Sequence, residues 1–197
     1  YCDISNLLIY YIDMVNEVPM GILCASKNTK TVRAIKKSLE NEYLSVDTSH
    51  DVFGTEFWGA IKNIIAIGCG IIEGMNLPES TRAMFFSKCF NEIMNLVYSL
   101  NGNKSSALTY AGIEDLFLTC TSQKSRNYTF GKMIGKKMNK SKIDKYIQET
   151  TVEGYYTLKS FYEMLRKKKK KSLIIETMYS IIYKKMDINL LIDYLKK

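Results

Sequence analysis

The chain has 197 residues, with 28 lysines and arginines against 20 aspartates and glutamates, which gives a formal net charge of +8. Hydrophobic residues make up 46% and charged residues 24%, a composition that is typical of a globular protein and excludes a largely disordered chain. No apolar run reaches the roughly 18–20 residues of a membrane span. The chain has a single histidine, which argues against most metal sites and histidine-based triads, and its five cysteines are scattered, which argues against a disulfide framework.

The first 48 residues have the pattern of an α/β segment. An apolar stretch of helical length covers Asn6–Val15 and ends before Pro19, and a short buried strand is predicted at Met20–Ala25. An amphipathic helix over Thr29–Leu39 and a second strand over Tyr43–Val46 follow. Two short strands are too few for an independent sheet. Because the chain also begins without a methionine or a leader, we expect residues 1–48 to be the end of a larger sheet domain.

The remainder of the chain, residues 49–197, has almost only helical signals and is predicted to form an all-helical domain. Its predicted helices cover residues 54–73, 79–100, 127–137, 141–148, 151–166, 174–184 and 188–195, with two shorter pieces, 105–111 and 113–120, on either side of Gly112. The expected fold class is therefore mainly α, preceded by a short α/β segment.

The first long helix contains the most informative polar residues. Lys62 and Asn63 are its only strongly polar residues between Trp58 and Glu73. At helical spacing Lys62 shares a face with small residues, which allow a close approach to the backbone. A lysine there is poorly solvated, and desolvation favours its neutral form, which suits a proton donor near neutral pH. The alternative is a structural lysine that extends from a buried helix to solvent.

A second candidate site lies at the start of the helix that follows Cys120. Ser125 is predicted to be the N-cap of that helix, which places Arg126 and Asn127 in its first turn. Free backbone N–H groups together with a guanidinium make an anion site, particularly for phosphate. The alternative is an ordinary capped helix with a surface arginine. Asp115, in the apolar segment before it, needs a partner if it is buried.

Three further features favour a plain structural interpretation when they are taken alone. Thr151 and Glu153 stand where a helix begins, and an acidic residue is favoured there by the helix dipole. His50 is interpreted as a boundary residue. The run Lys167–Lys171 is predicted to be a solvated turn between helices, and no nucleic-acid partner is expected.

Taken together, the motifs resemble the NAD(P)-dependent glycerol-3-phosphate dehydrogenase family, in its bacterial-type branch. The resemblance runs from about Pro19 to the C-terminus and rests on three linked patterns: Gly54-x-Glu56-x-x-Gly59-Ala60-x-Lys62-Asn63 followed by Ala66-x-Gly68-x-Gly70; Gly112-x-x-Asp115-Leu116-x-Leu118-Thr119-Cys120-Thr121 followed by Ser125-Arg126-Asn127; and Val152-Glu153-Gly154.

The resemblance implies a Rossmann domain, of which residues 1–48 would be the last part, followed by a helical domain like the C-terminal domain of 6-phosphogluconate dehydrogenase. It also implies NAD(P)H-dependent reduction of dihydroxyacetone phosphate to sn-glycerol 3-phosphate, which supplies phospholipid synthesis. Lys62 matches the catalytic lysine. The implied substrate-binding residues are Lys62, Asn63, Asp115, Thr119, Ser125, Arg126 and Asn127, and the implied cofactor contacts are Arg126, Thr151 and Glu153.

The chain also departs from the family pattern. The Gly-x-Gly-x-x-Gly fingerprint of the dinucleotide-binding half is absent, and Cys2–Leu8 occupies the place of a Gly-Pro-x-Phe-Ala motif without matching it. We therefore expect this chain alone to bind dinucleotide weakly and to have little activity. The similarity of the motifs to the bacterial-type branch favours NADPH over NADH as the cofactor. The resemblance further implies a homodimer and a cytoplasmic enzyme, or an organellar one after removal of a leader.

Two other classes of function remain as alternatives. The chain could be a non-catalytic helical interaction domain or a degenerate paralogue that keeps the pocket, and a basic nucleic-acid binder is the third class. A scaffold has no need to retain Lys62, Asp115, Arg126 and Asn127 together, so their joint presence favours the enzyme.

Overall fold

The computed structural model describes residues 14–197. The helix predicted over Asn6–Val15 therefore lies outside the described residues except at its end, where Met14 and Val15 are helical. The chain divides into two compact units: residues 14–59 with Val97–Asp115, and Ala60–Leu96 with Leu116–Lys197. The predicted domain division at residues 48 and 49 stays a prediction.

The first unit contains the predicted strand–helix–strand segment. Strand β1 (Met20–Ala25), helix α1 (Thr29–Leu39) and strand β2 (Leu44–Ser49) follow one another, and β1 pairs with β2 in parallel with Met20 opposite Leu44. Asn28 caps α1 through its side-chain oxygen, which accepts from the backbone N–H groups of residues 30 and 31. The second strand is longer than predicted, since the parallel pairing with β1 continues to Ser49. The α/β segment is thus confirmed.

Helices account for nearly all of the remaining chain, which confirms the predicted mainly α class. The elements are α2 (Val52–Gly74), α3 (Glu79–Ser99), a 3₁₀-helix (Lys104–Leu108), a π-helical turn (Tyr110–Glu114), α4 (Asp115–Thr121), α5 (Arg126–Gly135), α6 (Lys140–Glu149), α7 (Glu153–Lys167), α8 (Leu173–Ile182) and α9 (Leu190–Lys196). Gly112 does not separate two helices as predicted. It lies inside the π-helical turn, where an added Cβ would meet the backbone of Ala107.

Helix α2 is the longest helix of the described residues and is strongly apolar. Its 23 residues have a mean hydropathy of 1.2 in the best 18-residue window, enough by length and composition to cross a membrane, but 78% of that window is buried inside the protein. Such burial is typical of a core helix. All residues from Ile61 to Ile72 are buried, so any polar side chain on this part of α2 lies inside the fold.

Helices α2 and α5 approach each other closely through glycines. Gly74 and Gly135 face each other, and a Cβ added to either would lie 2.8 Å from the other's Cα atom. A Cβ on Gly131 would overlap the carbonyl oxygen of Ile67, and one on Gly70 would overlap the backbone of α5. Only glycine permits this separation of the two backbones. We call these four glycines the glycine seam.

An ionic cluster joins the end of α2 to α3 and α5. The Glu73 carboxylate accepts hydrogen bonds from Lys132 Nζ at 2.8 Å and Tyr128 Oη at 2.7 Å, and it pairs with Arg82. The hydrogen bonds from Lys132 and Tyr128, together with the positive charges of Lys132 and Arg82, lower the pKa of Glu73 to about 2. The cluster therefore stabilises the fold through an ionised carboxylate.

We expect Glu73→Gln to lower the free energy of unfolding at pH 7 by about 2–3 kcal/mol, because it removes the charge that two cations share. The folded-state pKa lies below the ordinary value of 4.5. The contribution is therefore complete above about pH 4.5 and is lost as the pH falls towards 2. Urea unfolding of both proteins across this pH range measures the difference.

Glu79→Gln is the matched control for this experiment. Its carboxylate lies 3.3 Å from the same arginine, Arg82, but its side chain is 92% exposed. It should change stability by less than about 0.5 kcal/mol. Equal losses in the two variants, or a loss for Glu73→Gln that does not diminish in acid, would contradict the assignment.

Candidate functional site

Lys62 and Asn63 lie in the buried part of α2, where the sequence predicts a poorly solvated lysine. Lys62 is 1% exposed and Asn63 is 5% exposed. Since a lysine that extended to solvent would expose its ammonium group, the structural alternative considered for Lys62 is wrong. The small residues of this helix allow the predicted close approach, and at Gly70 the group that approaches is the backbone of α5.

The first turn of α5 has the predicted geometry. Ser125 is its N-cap, and the Ser125 Oγ accepts from the backbone N–H of Tyr128 at 3.3 Å. Arg126 and Asn127 are the first two residues of the helix, which confirms their predicted place in its first turn. The Tyr146 hydroxyl of α6 donates to the Arg126 carbonyl oxygen at 3.3 Å and supports this turn from outside.

Three polar side chains and one backbone amide form a closed set of hydrogen bonds, here called the amide ring. The Gly154 N–H donates to Asn127 Oδ1 at 2.9 Å, and Asn127 Nδ2 donates to Asn63 Oδ1 at 2.9 Å. Asn63 Nδ2 then donates to Glu153 Oε2 at 3.1 Å, and Glu153 is joined to Gly154 by a peptide bond. The ring links α2, the start of α5 and the start of α7.

The backbone amide fixes the orientation of both asparagines. An N–H group can only donate, so the oxygen of Asn127 faces Gly154 and its amide nitrogen faces Asn63. The Asn63 oxygen must then accept, which directs its nitrogen to the Glu153 carboxylate. A side chain at position 154 would disturb this arrangement, because a Cβ there would lie 2.7 Å from the backbone carbonyl oxygen of Asn63.

Arg126 lies at the exposed side of the ring. Its side chain is 45% exposed, and its guanidinium lies 3.6 Å from Glu153 Oε1. A guanidinium carries five N–H donors in a planar fork. Pairing with one carboxylate therefore leaves several of these N–H groups to bind a second anion. The donor set fits a phosphate group of a substrate or of a dinucleotide cofactor, next to the N-terminal end of α5. Glu153 partly neutralises this positive charge.

The remaining predicted residues occupy different positions. Asp115 begins α4, is half-buried and belongs to the first compact unit. Thr119 is 6% exposed in the same helix, and Thr151 is exposed just before α7. The described contacts bring together Asn63, Arg126, Asn127 and Glu153; the roles that the resemblance implies for the others stay predictions.

Two contributors to this arrangement, Gly154 and Tyr146, have no functional signal in the sequence. Gly154 belongs to the Val152-Glu153-Gly154 motif, but the donor role of its backbone N–H has no side-chain signature. Tyr146, which supports the first turn of α5, belongs to a helix with no distinctive pattern, and nothing in the sequence points to it.

Residues 51–193 match the family model of the NAD-dependent glycerol-3-phosphate dehydrogenase C-terminus. The chain belongs to this family. Glycerol-3-phosphate dehydrogenase [NAD(P)+] of Staphylococcus carnosus is 32% identical over 179 residues, which cover 90% of this chain and 53% of the relative. The enzyme of the same name from Limosilactobacillus reuteri is 34% identical over 176 residues, 89% of this chain and 52% of the relative.

Solved structures of the family agree with this assignment. The crystal structure of glycerol-3-phosphate dehydrogenase from Coxiella burnetii superposes with a TM-score of 0.86 at 26% identity, and the match covers 94% of this chain and 57% of that chain. The chain thus spans about half the length of the glycerol-3-phosphate dehydrogenases that it matches. The resemblance read from the motifs is confirmed.

Asn127→Asp should lower the free energy of unfolding by about 1–3 kcal/mol, measured by urea or thermal unfolding. The aspartate can still accept from Gly154, but it cannot donate to Asn63, and a second carboxylate comes close to Glu153 at a nearly buried position.

Asn139→Asp provides the matched control. Asn139 caps α6 by accepting from the backbone N–H of Lys142 at 3.0 Å, a role that aspartate fills equally well. Its stability should stay unchanged. A stable Asn127→Asp variant would show that the amide ring does not hold the helices.

Proposed function

We propose that this chain is the substrate-binding part of an enzyme that reduces dihydroxyacetone phosphate to sn-glycerol 3-phosphate with NAD(P)H. The observation that carries the proposal is the amide ring, because it joins the helix of a fully buried lysine to a helix start that presents an exposed arginine. A ketone phosphate needs a proton donor at the carbonyl and a cationic site for the phosphate. Family membership supports the same reaction.

The phosphate is proposed to bind at the first turn of α5. Arg126 would supply two parallel N–H donors, and Ser125 and Asn127 would contribute polar contacts at the same turn. Asn63 is proposed to bind the substrate with the amide hydrogen that the ring leaves unused. Asp115 and Thr119 are proposed to position the lysine and the substrate hydroxyl groups, in agreement with the family pattern.

Lys62 is proposed to donate the proton. When bound, the reduced nicotinamide supplies the hydride to C2. The C2 oxygen then gains electron density, and the Lys62 ammonium gives it a proton, so that the ketone becomes an alcohol and the lysine becomes neutral. Burial of Lys62 keeps bulk water away from this transfer. In the oxidative direction the neutral amine would take the proton back.

The cofactor is proposed to contact Arg126, Thr151 and Glu153. The exposed guanidinium fits a phosphate-bearing group, but the 197 residues contain no Gly-x-Gly-x-x-Gly loop for the diphosphate. Residues 1–48 are proposed as the end of a Rossmann domain, and residues 49–197 as the helical substrate domain. NADPH is the proposed cofactor, with NADH as the alternative. A homodimer, a cytoplasmic location and supply of phospholipid synthesis complete the proposal.

Binding of glycerol 3-phosphate by the 197-residue chain, measured by calorimetry against glycerol, tests the anion site without the cofactor. Wild-type chain should prefer glycerol 3-phosphate, and Arg126→Ala should weaken its binding by at least about tenfold because a charge-assisted pair is lost. Arg33→Ala removes an exposed arginine of α1 and serves as the control. Equal binding of glycerol and glycerol 3-phosphate would contradict the phosphate site.

The same experiment with Lys62→Met separates binding from chemistry. This variant keeps the length of the side chain and should retain binding of glycerol 3-phosphate. In an enzyme that joins this chain to a dinucleotide-binding domain, it should abolish reduction of dihydroxyacetone phosphate. Full turnover by the Lys62→Met enzyme would show that the lysine is not the proton donor. If the complete wild-type enzyme binds glycerol 3-phosphate but does not turn over dihydroxyacetone phosphate, the non-catalytic alternative is favoured.

A further inference from the structure

The turn between α7 and α8 forms a compact basic surface. It consists of Arg166 and the five consecutive residues Lys167–Lys171, all exposed, and is here called the basic tip. Backbone hydrogen bonds from Lys168 to the Met164 carbonyl and from Lys170 to the Leu165 carbonyl close the end of α7. Lys169 adopts a left-handed conformation with a φ of 52°, which turns the chain sharply into α8.

The basic tip is held rigidly on the protein. Ser172, which follows it directly, is 3% exposed, and its hydroxyl donates to Glu92 Oε1 of α3 at 2.6 Å. The same carboxylate oxygen accepts from the Ile174 N–H at 3.0 Å. These bonds anchor both the turn and the start of α8. The six cations are therefore presented from a fixed turn, and less conformational entropy is lost when they bind a partner.

Capping of α7 does not account for so many charges. Arg166 and Lys167, in its last turn, interact favourably with the helix dipole. The other lysines lie beyond the helix or at its end and repel one another. Among residues 14–197, no carboxylate oxygen lies within 4.0 Å of the ammonium groups of Lys167–Lys171. The intramolecular interactions described leave this positive charge uncompensated.

The neighbouring residues favour a flat anionic surface over a nucleic acid. Leu173, which begins α8 beside the tip, is 37% exposed, so an apolar side chain accompanies the cations. Tyr162 and Tyr179, the nearest stacked aromatic pair on the two helices, lie face to face at 3.8 Å. The two facing ring surfaces cover each other and are not available to bases.

We propose that the basic tip docks on the surface of an anionic phospholipid bilayer. Lysines near such a surface each add a favourable electrostatic contribution, and Leu173 can enter the headgroup region beside them. This inference goes beyond the proposed reaction and does not depend on it, since no residue of the basic tip belongs to the amide ring or to the anion site.

Cosedimentation of the 197-residue chain with vesicles tests the proposal. The chain should bind vesicles of mixed phosphatidylserine and phosphatidylcholine, should not bind pure phosphatidylcholine vesicles, and should be released by salt. Replacing Lys168, Lys169, Lys170 and Lys171 by glutamine should weaken binding by at least about tenfold. Leu173→Ser should weaken it by a smaller factor without changing the charge.

A second set of four exposed lysines gives a matched control. Lys136 and Lys137 follow the end of α5, and Lys140 and Lys142 lie in the first turn of α6. Lys137 shares the left-handed conformation of Lys169, with a φ of 51°. Their replacement by glutamine removes the same net charge and should leave vesicle binding nearly intact. Equal losses for both sets, equal binding to neutral vesicles, or preferential binding of single-stranded RNA over anionic vesicles would each overturn the proposal.

Discussion

The close approach of α2 and α5 is the constraint on which the rest of the second unit depends. Four glycines let the two backbones meet, and an added Cβ on any of them would overlap or crowd the opposite helix. Because the helices lie so close, Asn63 and Asn127 can join directly at 2.9 Å without an intervening water. The glycines thus determine which polar groups of the two helices meet, although they carry no chemistry themselves.

This contact also fixes the part of α2 that carries the buried Lys62. Lys62 neighbours Asn63 on α2, and the amide ring holds that part of the helix in one orientation. Glu153 has two roles here, since one carboxylate oxygen orients Asn63 while the other faces Arg126 at 3.6 Å. The fold therefore couples the start of α7 to the proposed anion site.

The sequence predicted the elements and the local start of α5 well, because these depend on periodicity and capping chemistry within a few residues. Ser125 is the N-cap as predicted, and the long α2 has nearly its expected bounds. Contacts between distant segments could not be predicted from local patterns. The small residues around Lys62 predicted a close approach to the backbone of α2, but not that another helix would make this approach at Gly70. The Glu73 cluster joins residues up to 59 positions apart, so no local sequence pattern predicts these contacts.

The most direct test of this account is the stability of Gly131→Ala, measured by urea unfolding and accompanied by the NMR signals of the Asn63 side-chain amide. Alanine inside an ordinary helix stabilises it by about 0.5–1 kcal/mol relative to glycine. Here the added Cβ would overlap the Ile67 carbonyl oxygen. We therefore expect Gly131→Ala to lower the free energy of unfolding by about 1–3 kcal/mol and to shift the Asn63 amide signal. A gain in stability with an unchanged amide signal would contradict it.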